Sequence, residues 1–209
     1  MIQVVVDNLN IKAKYTFIVQ KEHYEKYSLQ YLLNLIAPDC NIVQVDGITE
    51  GAACTTLLAK EFIDNDEPLL MANSDQFVEW DSNETLYAFS NGDCDGGILT
   101  FPASHPKWSY AKLDDDGFVS EVAEKKPISE HATVGVYWWK KGSDYVKYAE
   151  QMIEKNIRTN GEFYVCPVFN EAIGDDKRVR IKEIDKDGMW GIGTPEDLNY
   201  FLKNYEGDI

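Results

Sequence analysis

The chain has 209 residues, with 20 Lys and Arg against 36 Asp and Glu, so its formal net charge is −16. Hydrophobic residues make up 44% of the chain and aromatic residues 12%, which is typical of a folded domain rather than a disordered chain. The acidic balance argues against nucleic acid or an anionic membrane as the main partner, because phosphate groups are bound by clustered Lys and Arg. No apolar run reaches the roughly 18 residues of a membrane span. We therefore predict neither a nucleic-acid partner nor a membrane partner.

The four cysteines are scattered and form no C-x-x-C pair; they are Cys40, Cys54, Cys94 and Cys166. Such spacing favours free thiols in a reducing compartment over a disulfide framework or a zinc site. The N-terminus also lacks the basic and then apolar form of a signal peptide. These features predict a cytoplasmic location.

The first part of the chain alternates short apolar runs with helical patterns, and no linker divides the chain. We therefore predict one domain over residues 1–209. Strands are predicted at residues 14–20, 41–45 and 68–72, and helices at 22–36 and 52–63. The run at 68–72 is wholly apolar, as expected for a central strand covered on both faces. This alternation predicts a three-layer α/β domain with a largely parallel sheet.

The second part is richer in strands joined by turns. Strands are predicted at residues 97–101, 110–113, 118–123, 133–139 and 178–184, and helices at 143–156 and 162–173. A last helix should begin after Thr194, with Thr194 as N-cap, Pro195 at the first helical position and Asp197 completing a capping box. The whole chain is therefore predicted to form a mixed α/β sheet sandwich.

Asp75 is the first candidate for chemistry. It follows the strand at 68–72 within Asn73-Ser74-Asp75, and ligands of open α/β sheets bind beyond the carboxyl ends of the strands. A carboxylate there is suited to a divalent cation that bridges to a nucleotide phosphate. The alternative is that Asp75 caps the following turn together with Asn73 and Ser74. The sequence leaves both interpretations open.

Two further segments carry weaker signals. Gly51, followed by small residues, precedes a helix whose free N–H groups would suit a flat or anionic ligand, although small residues also allow close helix packing. Lys125 and Lys126 end a predicted strand, where a lysine could neutralise a sugar phosphate or simply be solvated. The D-x-D pair Asp93 and Asp95 lies in a glycine-rich stretch that indicates a loop. None of the three histidines has the context of a catalytic residue.

In order, four segments resemble the sugar-phosphate nucleotidyltransferases, which join a nucleoside triphosphate (NTP) to a sugar 1-phosphate and release pyrophosphate. The segments are EGAACTT at 50–56, LMANSDQ at 70–76, EKKP at 124–127 with TVGVY at 133–137, and WGIGTPED at 190–197. The similarity spans nearly the whole chain, and it is greatest to enzymes of surface-polysaccharide and capsule pathways. It implies a Rossmann-like, glycosyltransferase-A-like three-layer sandwich.

The resemblance also implies roles for particular residues. Asp75 would bind Mg²⁺ and act in catalysis with Lys126, and Glu124 and Lys126 would contact the sugar phosphate. Gly51 and its neighbours Glu50 and Ala52 would lie against the nucleobase, Asn73 would contact substrate, and Gly135 would line the sugar pocket. The chemistry would be in-line attack of a sugar-phosphate oxygen on the α-phosphorus.

The sequence departs from the family pattern in two places. The family begins with a strand, a Gly-x-Gly-x-Arg triphosphate loop and a Lys-Pro, whereas the first glycine here is Gly47 and the first proline is Pro38. Residues 1–6 instead resemble the helix that follows that Lys-Pro. Many members also carry a metal-binding aspartate where this chain has Gly191, with Asp185 and Asp187 as nearby substitutes. We therefore expect the chain alone to bind NTP poorly and to self-associate, with a homo-oligomer as one outcome.

Two alternatives remain open from the sequence. The same fold could serve as a non-catalytic domain that binds nucleotide or sugar phosphate, or that pairs with another chain. It could also be a glycosyltransferase that uses Asp75, or Asp93 with Asp95, as its metal site. Pyrophosphate release supports the nucleotidyltransferase, binding without turnover supports the non-catalytic domain, and transfer from a nucleotide sugar supports the glycosyltransferase.

Overall fold

A computed structural model of the protein describes residues 1–207, and the last two residues lie outside the described part. The helices are α1 (Ile2–Leu9), α2 (Lys21–Lys26), α3 (Leu29–Ile36), α4 (Ala52–Leu57), α5 (Lys60–Ile63), α6 (Ser82–Asn91), α7 (Gly142–Glu154), α8 (Val168–Gly174) and α9 (Pro195–Asn204). The strands are β1 (Thr16–Gln20), β2 (Asn41–Val45), β3 (Leu69–Ala72), β4 (Gln76–Val78), β5 (Gly96–Pro102), β6 (Ser109–Leu113), β7 (Val119–Glu124), β8 (His131–Trp139), β9 (Val179–Glu183) and β10 (Met189–Gly191).

The central sheet is organised around β8. Its strands run in the order β7-β6-β8-β5-β9, and β3 also pairs with β8. β5 lies along β8, β6 pairs with it at Ala132, and β3 pairs with residues 136–139. Within residues 1–207 the parallel pairs are β1–β2 and β5–β9, and the other pairings are antiparallel. The α/β class is confirmed. The central sheet is mixed rather than largely parallel, since β5–β9 is its parallel pair among residues 1–207 and β1 and β2 form a separate two-stranded sheet.

Both faces of this sheet are covered, which gives the predicted three layers. Side chains alternate across a strand: Ile98 of β5 packs with α7 and α8 on one face, and Leu99 packs with Val78 and Phe101 on the other. Tyr137 and Trp139 of β8 share the first face, and Trp138 packs against Phe89 of α6 on the second. Continuous apolar runs in β5 and β8 follow from this two-sided burial.

A two-stranded ribbon of β4 and β10 ties the C-terminal segment to the end of β3. Met189 pairs with Val78 and Gly191 pairs with Gln76. Phe77 and Ile192 are buried there with Val5 of α1 and Phe201 of α9. The sequence analysis did not predict β4, β10 or α6, because the two strands have three residues each and α6 has a polar sequence, SNETLYAFSN.

Several predicted helices were too long. The helix expected over 22–36 is broken between α2 and α3, where Ser28 adopts a left-handed conformation with φ of 51°. The helix expected over 52–63 is interrupted between α4 and α5, since the backbone of Ala59 leaves helical geometry. The helix expected over 162–173 begins only at Val168, and residues 162–167 form a loop. Helical periodicity does not show such local interruptions.

Further predictions concern one strand, the cap of α9 and the cysteines. The strand at 41–45 forms as predicted, and the hydroxyl of Thr194 accepts a hydrogen bond from the Asp197 amide, capping α9. The Asp197 carboxylate accepts from the Thr194 hydroxyl rather than from a backbone amide, so the capping box is only half formed. All four cysteines are free thiols. In the described part of the chain, no helix is long and apolar enough to cross a membrane.

Candidate active site

Three of the four sequence motifs meet where β3 ends. The amide of Asn73 donates to the carbonyl of Gly135 at 3.0 Å, which joins the loop after β3 to β8. The amide of Ile192 donates to the carbonyl of Asp75 at 2.8 Å, which joins the same loop to the segment after β10. The loop between β3 and β4 has three residues, and it is held between β8, which pairs with β3, and β10, which pairs with β4. The candidate site is therefore built on Asn73, Asp75, Gly135 and Ile192.

The side chain of Asp75 is free. It is exposed, and among residues 1–207 it makes no hydrogen bond or ion pair. A Cβ added at Gly193 would lie 2.8 Å from Oδ2 of Asp75, so the glycine leaves the room that the carboxylate occupies. In a turn cap, this carboxylate would accept a hydrogen bond from a backbone amide. No such hydrogen bond occurs among the described residues. The described part of the chain thus does not support the capping interpretation of Asp75.

Gly135 is a position that only glycine fits. Its φ of +79° lies in the left-handed region, and an added Cβ would lie 2.3 Å from Nδ2 of Asn73 and 2.8 Å from Oε1 of Gln76. The β5–β8 register shifts nearby, between the pairs Ile98–Tyr137 and Thr100–Thr133, so β8 carries extra residues here. Such an irregularity re-aims the strand locally. Gly135 therefore lets the Asn73 side chain lie directly on β8.

The motif around Gly51 packs against the loop that precedes α8. A Cβ at Gly51 would lie 2.4 Å from the carbonyl oxygen of Phe163, and the amide of Ala53 donates to that oxygen at 2.9 Å. The Glu50 carboxylate is paired with Arg158, whose guanidinium lies 4.0 Å above the Phe163 ring. Ala52 is exposed at the start of α4. Close backbone packing thus explains Gly51, and Glu50 and Ala52 are the exposed residues of the motif.

Glu124 lies at the end of β7 in a partly buried setting. It is directly opposite Ser109 of β6, whose hydroxyl donates to Oε2 of Glu124. Burial raises the pKa of the Glu124 carboxyl, and the bond from Ser109 and the charge of Lys125 lower it in part. Tyr137 and Cys166 lie behind this pair, and burial raises the pKa of both groups, so each stays neutral at neutral pH.

The two lysines after Glu124 have different surroundings. Lys125 has a φ of 55°, and its ammonium donates to the Tyr164 hydroxyl at 2.6 Å while lying 4.6 Å above that ring. That bond raises the pKa of Lys125. Lys126 is exposed, and within the described part of the chain it makes no hydrogen bond or ion pair. Of the two lysines, Lys126 is the one whose ammonium is unengaged in the described part of the chain.

The other acidic candidates belong elsewhere. Asp93 pairs with Arg178, and Asp95 pairs with Lys177 at 3.4 Å and accepts from the Arg178 amide. These bonds match the loop interpretation of the D-x-D sequence and leave no free carboxylate pair for a cation. Asp185 and Asp187 precede β10 at the end of the ribbon next to Val78, whereas Asp75 is at the opposite end. Four residues of extended chain span about 13 Å, so Asp187 does not substitute for a ligand at Gly191.

Four residues of this region were not singled out in the sequence analysis. They are Ser109, Tyr137, Arg158 and Tyr164. Ser109 and Tyr137 lie in segments that the sequence predicts as strands, and nothing in their spacing distinguishes them from core residues. Arg158 and Tyr164 lie in the loop before α8, where a helix was partly expected. Their roles depend on contacts between segments far apart in the sequence.

A mixed sheet covered on both faces, with its polar loops joined at the end of β3, defines a Rossmann-like α/β domain. The model of the nucleotidyl transferase family matches residues 1–206, and the chain belongs to that family. Membership supports a nucleotidyltransfer role for the protein. A search of curated protein sequences gave no match.

Solved structures share this fold. The nucleoside-diphosphate-sugar pyrophosphorylase from Vibrio cholerae RC9 is 21% identical, with a TM-score of 0.80 over 97% of this chain and 85% of that one. A putative glucose-1-phosphate thymidylyltransferase from Bacillus anthracis is 17% identical, with a TM-score of 0.73 over 99% and 81%. The inositol-1-phosphate CTP transferase from T. maritima is 14% identical, with a TM-score of 0.68 over 96% and 80%. At these identities the likeness concerns the fold.

Proposed function

We propose that the protein transfers a nucleoside monophosphate from NTP to a sugar 1-phosphate and releases pyrophosphate. The observation that carries the proposal is the meeting of the Asn73–Asp75, Gly135 and Ile192–Gly193 segments in a chain whose family match spans residues 1–206. The structural neighbours are named as a pyrophosphorylase and as transferases of phosphorylated small molecules, which supports the same substrate class. A cytoplasmic role in nucleotide-sugar synthesis for surface polysaccharides fits this chemistry.

The residues around Asp75 fit a magnesium ion. Mg²⁺ keeps several waters and is commonly bound through one or two carboxylates together with substrate phosphates. Asp75 offers one exposed carboxylate with no competing cation among the described residues. Bound there, Mg²⁺ would neutralise part of the triphosphate charge.

The remaining residues would bind and orient the two substrates. Lys126 would hold the phosphate of the sugar 1-phosphate as a point charge, and Glu124 would accept a hydrogen bond from a sugar hydroxyl. Asn73 and Gly135 would form the wall between them, and Ala52, beside Glu50 and Gly51, would lie against the base. In the reaction, an oxygen of the sugar phosphate attacks the α-phosphorus in line, the bond to the β-phosphate oxygen breaks, and pyrophosphate leaves.

The Asp75→Asn variant tests the proposal. We expect it to abolish Mg²⁺-dependent nucleotide binding, measured by calorimetry with each of the four common NTPs with and without EDTA. Thermal stability should change by no more than about 0.5 kcal/mol, as for other exposed substitutions. The matched control is Asp115→Asn, which removes the same charge from an exposed turn. A loss of several kcal/mol in stability with metal binding intact would identify Asp75 as structural.

The glycine at position 191 favours a second candidate function, that of a non-catalytic domain that binds nucleotide or sugar phosphate. It stands opposite Gln76 where many relatives have a metal-binding aspartate, so Asp75 has no carboxylate partner from β10. The same site would then bind NTP or sugar phosphate without turnover. A coupled pyrophosphate assay with NTP, Mg²⁺ and glucose 1-phosphate separates the two, because pyrophosphate release occurs only in the transferase.

A further inference from the structure

A small polar cluster is buried behind Glu124, between the sheet and the loop before α8. Ser109 is 8% exposed, Tyr137 is 6% exposed and Cys166 is 1% exposed. The hydroxyl groups of Ser109 and Tyr137 and the thiol of Cys166 lie near one another, and the Thr133 hydroxyl lies 3.0 Å from that of Tyr137. Buried polar groups of this kind weaken a core unless they are satisfied, so their presence calls for a role.

This cluster binds one of the two carboxylate oxygens of Glu124. The hydroxyl of Ser109 donates to Oε2 of Glu124, and Oε1 has no partner among residues 1–207. A glutamate side chain has several rotatable bonds, and fixing one oxygen removes most of that freedom. Ser109 is itself fixed, because it is paired in register with Glu124 across two strands and is bounded by Tyr137 and Cys166.

We propose that Ser109 is a positioning residue that holds Oε2 of Glu124 and so presents Oε1 to a sugar hydroxyl of the substrate. This inference rests on the proposed function, in which Glu124 contacts the sugar. Ser109 does not touch the reacting atoms. It sets the orientation of the carboxylate and opposes the rise in the Glu124 pKa that burial causes.

The charge state of the cluster supports a measurable pH effect. Tyr137 and Cys166 stay neutral at neutral pH because burial raises the pKa of each, and Lys125 stays charged because its bond to Tyr164 raises its pKa. Glu124 is thus the member of this set that titrates on the acid side. A donor to the ionised carboxylate lowers its pKa. Removing the Ser109 hydroxyl should therefore raise the pKa of Glu124 further and move loss of the carboxylate to higher pH.

The test compares Ser109→Ala with Ser129→Ala, whose hydroxyl bonds only to backbone groups, accepting from the His131 amide and donating to the Ala111 carbonyl. Carboxyl NMR titration of labelled Glu should show a higher Glu124 pKa in Ser109→Ala and no change in Ser129→Ala. Glucose 1-phosphate should bind roughly tenfold more weakly to Ser109→Ala, the scale of one hydrogen bond, while inorganic phosphate should bind unchanged. In a Glu124→Gln background, Ser109→Ala should have no further effect on glucose 1-phosphate.

The outcomes separate the two proposals. An unchanged Glu124 pKa in Ser109→Ala overturns the positioning role, as does an equal loss for glucose 1-phosphate and inorganic phosphate. A raised Glu124 pKa in a protein that binds no sugar phosphate supports the Ser109 contact and overturns the proposed function. Since the titration needs no substrate, it decides the Ser109 contact in either case.

Discussion

At the scale of single residues, Lys125 and Lys126 look alike in the sequence as candidates for binding a phosphate, and their contacts in the structure differ. The Lys125 ammonium is engaged by Tyr164, whereas that of Lys126 is unpaired within the described part of the chain. The sequence places both at a strand end, and it does not show that the backbone at Lys125 is left-handed, with a φ of 55°.

Replacing Lys126 by Met should weaken glucose 1-phosphate binding by about 1–3 kcal/mol, the range of a charge-assisted contact, and should leave NTP binding unchanged. Calorimetry with each ligand in turn measures both. Lys112→Met is the control, since Lys112 is exposed on β6 and its removal changes the net charge equally. Equal loss for both ligands, or a loss in Lys125→Met alone, would contradict the assignment to Lys126.

The sequence could indicate Asp75 because a polar residue directly after an apolar strand is a local pattern. It could not indicate Ser109, because the value of its hydroxyl depends on Glu124, which lies fifteen residues further along the chain and opposite it across two strands. It also could not show that the glycine at 51 is required by the Phe163 backbone. Local patterns predict what a residue can do, and pairing across the sheet decides which residues are placed to do it.

At the scale of elements, β8 is irregular at the point where it contacts the loop after β3. Gly135 combines a left-handed φ of +79° with contact to the Asn73 side chain, at the place where the β5–β8 register shifts. The sequence predicted the strand to within two residues at its start, and it gave no sign of the shift. A strand is predicted from the alternation of its side chains, and this alternation continues on both sides of the extra residues. The pattern therefore does not reveal them.

Gly135→Ala should be more destabilising than Gly117→Ala. Both glycines have a φ of +79°, but a Cβ at Gly117 meets nothing within 4 Å, whereas one at Gly135 meets Asn73 and Gln76. Backbone strain of about 1 kcal/mol should be common to both, and Gly135→Ala should lose about 1–3 kcal/mol more through the clash. Urea unfolding of the two variants measures the difference. Equal losses would mean that Asn73 moves aside freely and does not depend on Gly135.

The helices were predicted less accurately than the strands for a similar reason. Helical spacing identified the long amphipathic α7 within two residues at either end. It joined α2 to α3, because a single left-handed residue at Ser28 leaves the apolar spacing on both sides intact. Periodicity reports which face is apolar, whereas a break depends on the dihedral angles of one or two residues.

At the scale of the whole molecule, β3 and the two-stranded sheet of β1 and β2 leave open edges among residues 1–207. β3 pairs with β8 on one side only, and its four apolar residues are all at least partly exposed. β1 and β2 pair only with each other in the described part of the chain. An open apolar edge exposes unpaired N–H and C=O groups and invites pairing with another strand. The expectation of self-association stays a prediction, with the β3 edge as its structural basis.

Ala72→Lys tests that prediction. Ala72 is exposed at the end of β3, and a lysine on an edge strand discourages pairing. We expect the wild-type chain to show a concentration-dependent rise in mass by light scattering, and Ala72→Lys to suppress it. Leu35→Lys is the matched control, because Leu35 is 81% exposed on α3 and lies away from the edge. A monomeric wild-type chain at all concentrations, or equal suppression by Leu35→Lys, would contradict association through β3.

The position of β8 at the centre of the sheet also bears on how the protein folds. β8 closes against strands that begin at Leu69, Gly96 and Ser109, so its pairings span roughly 20 to 70 residues of chain. Contacts this distant in sequence slow folding, because the entropy of closing long loops is lost before the pairing stabilises the chain. The contact between Asn73 and Gly135 forms only after those loops close. No early fragment of a growing or refolding chain then carries the joined loops at the end of β3, and this arrangement arises together with the completed sheet.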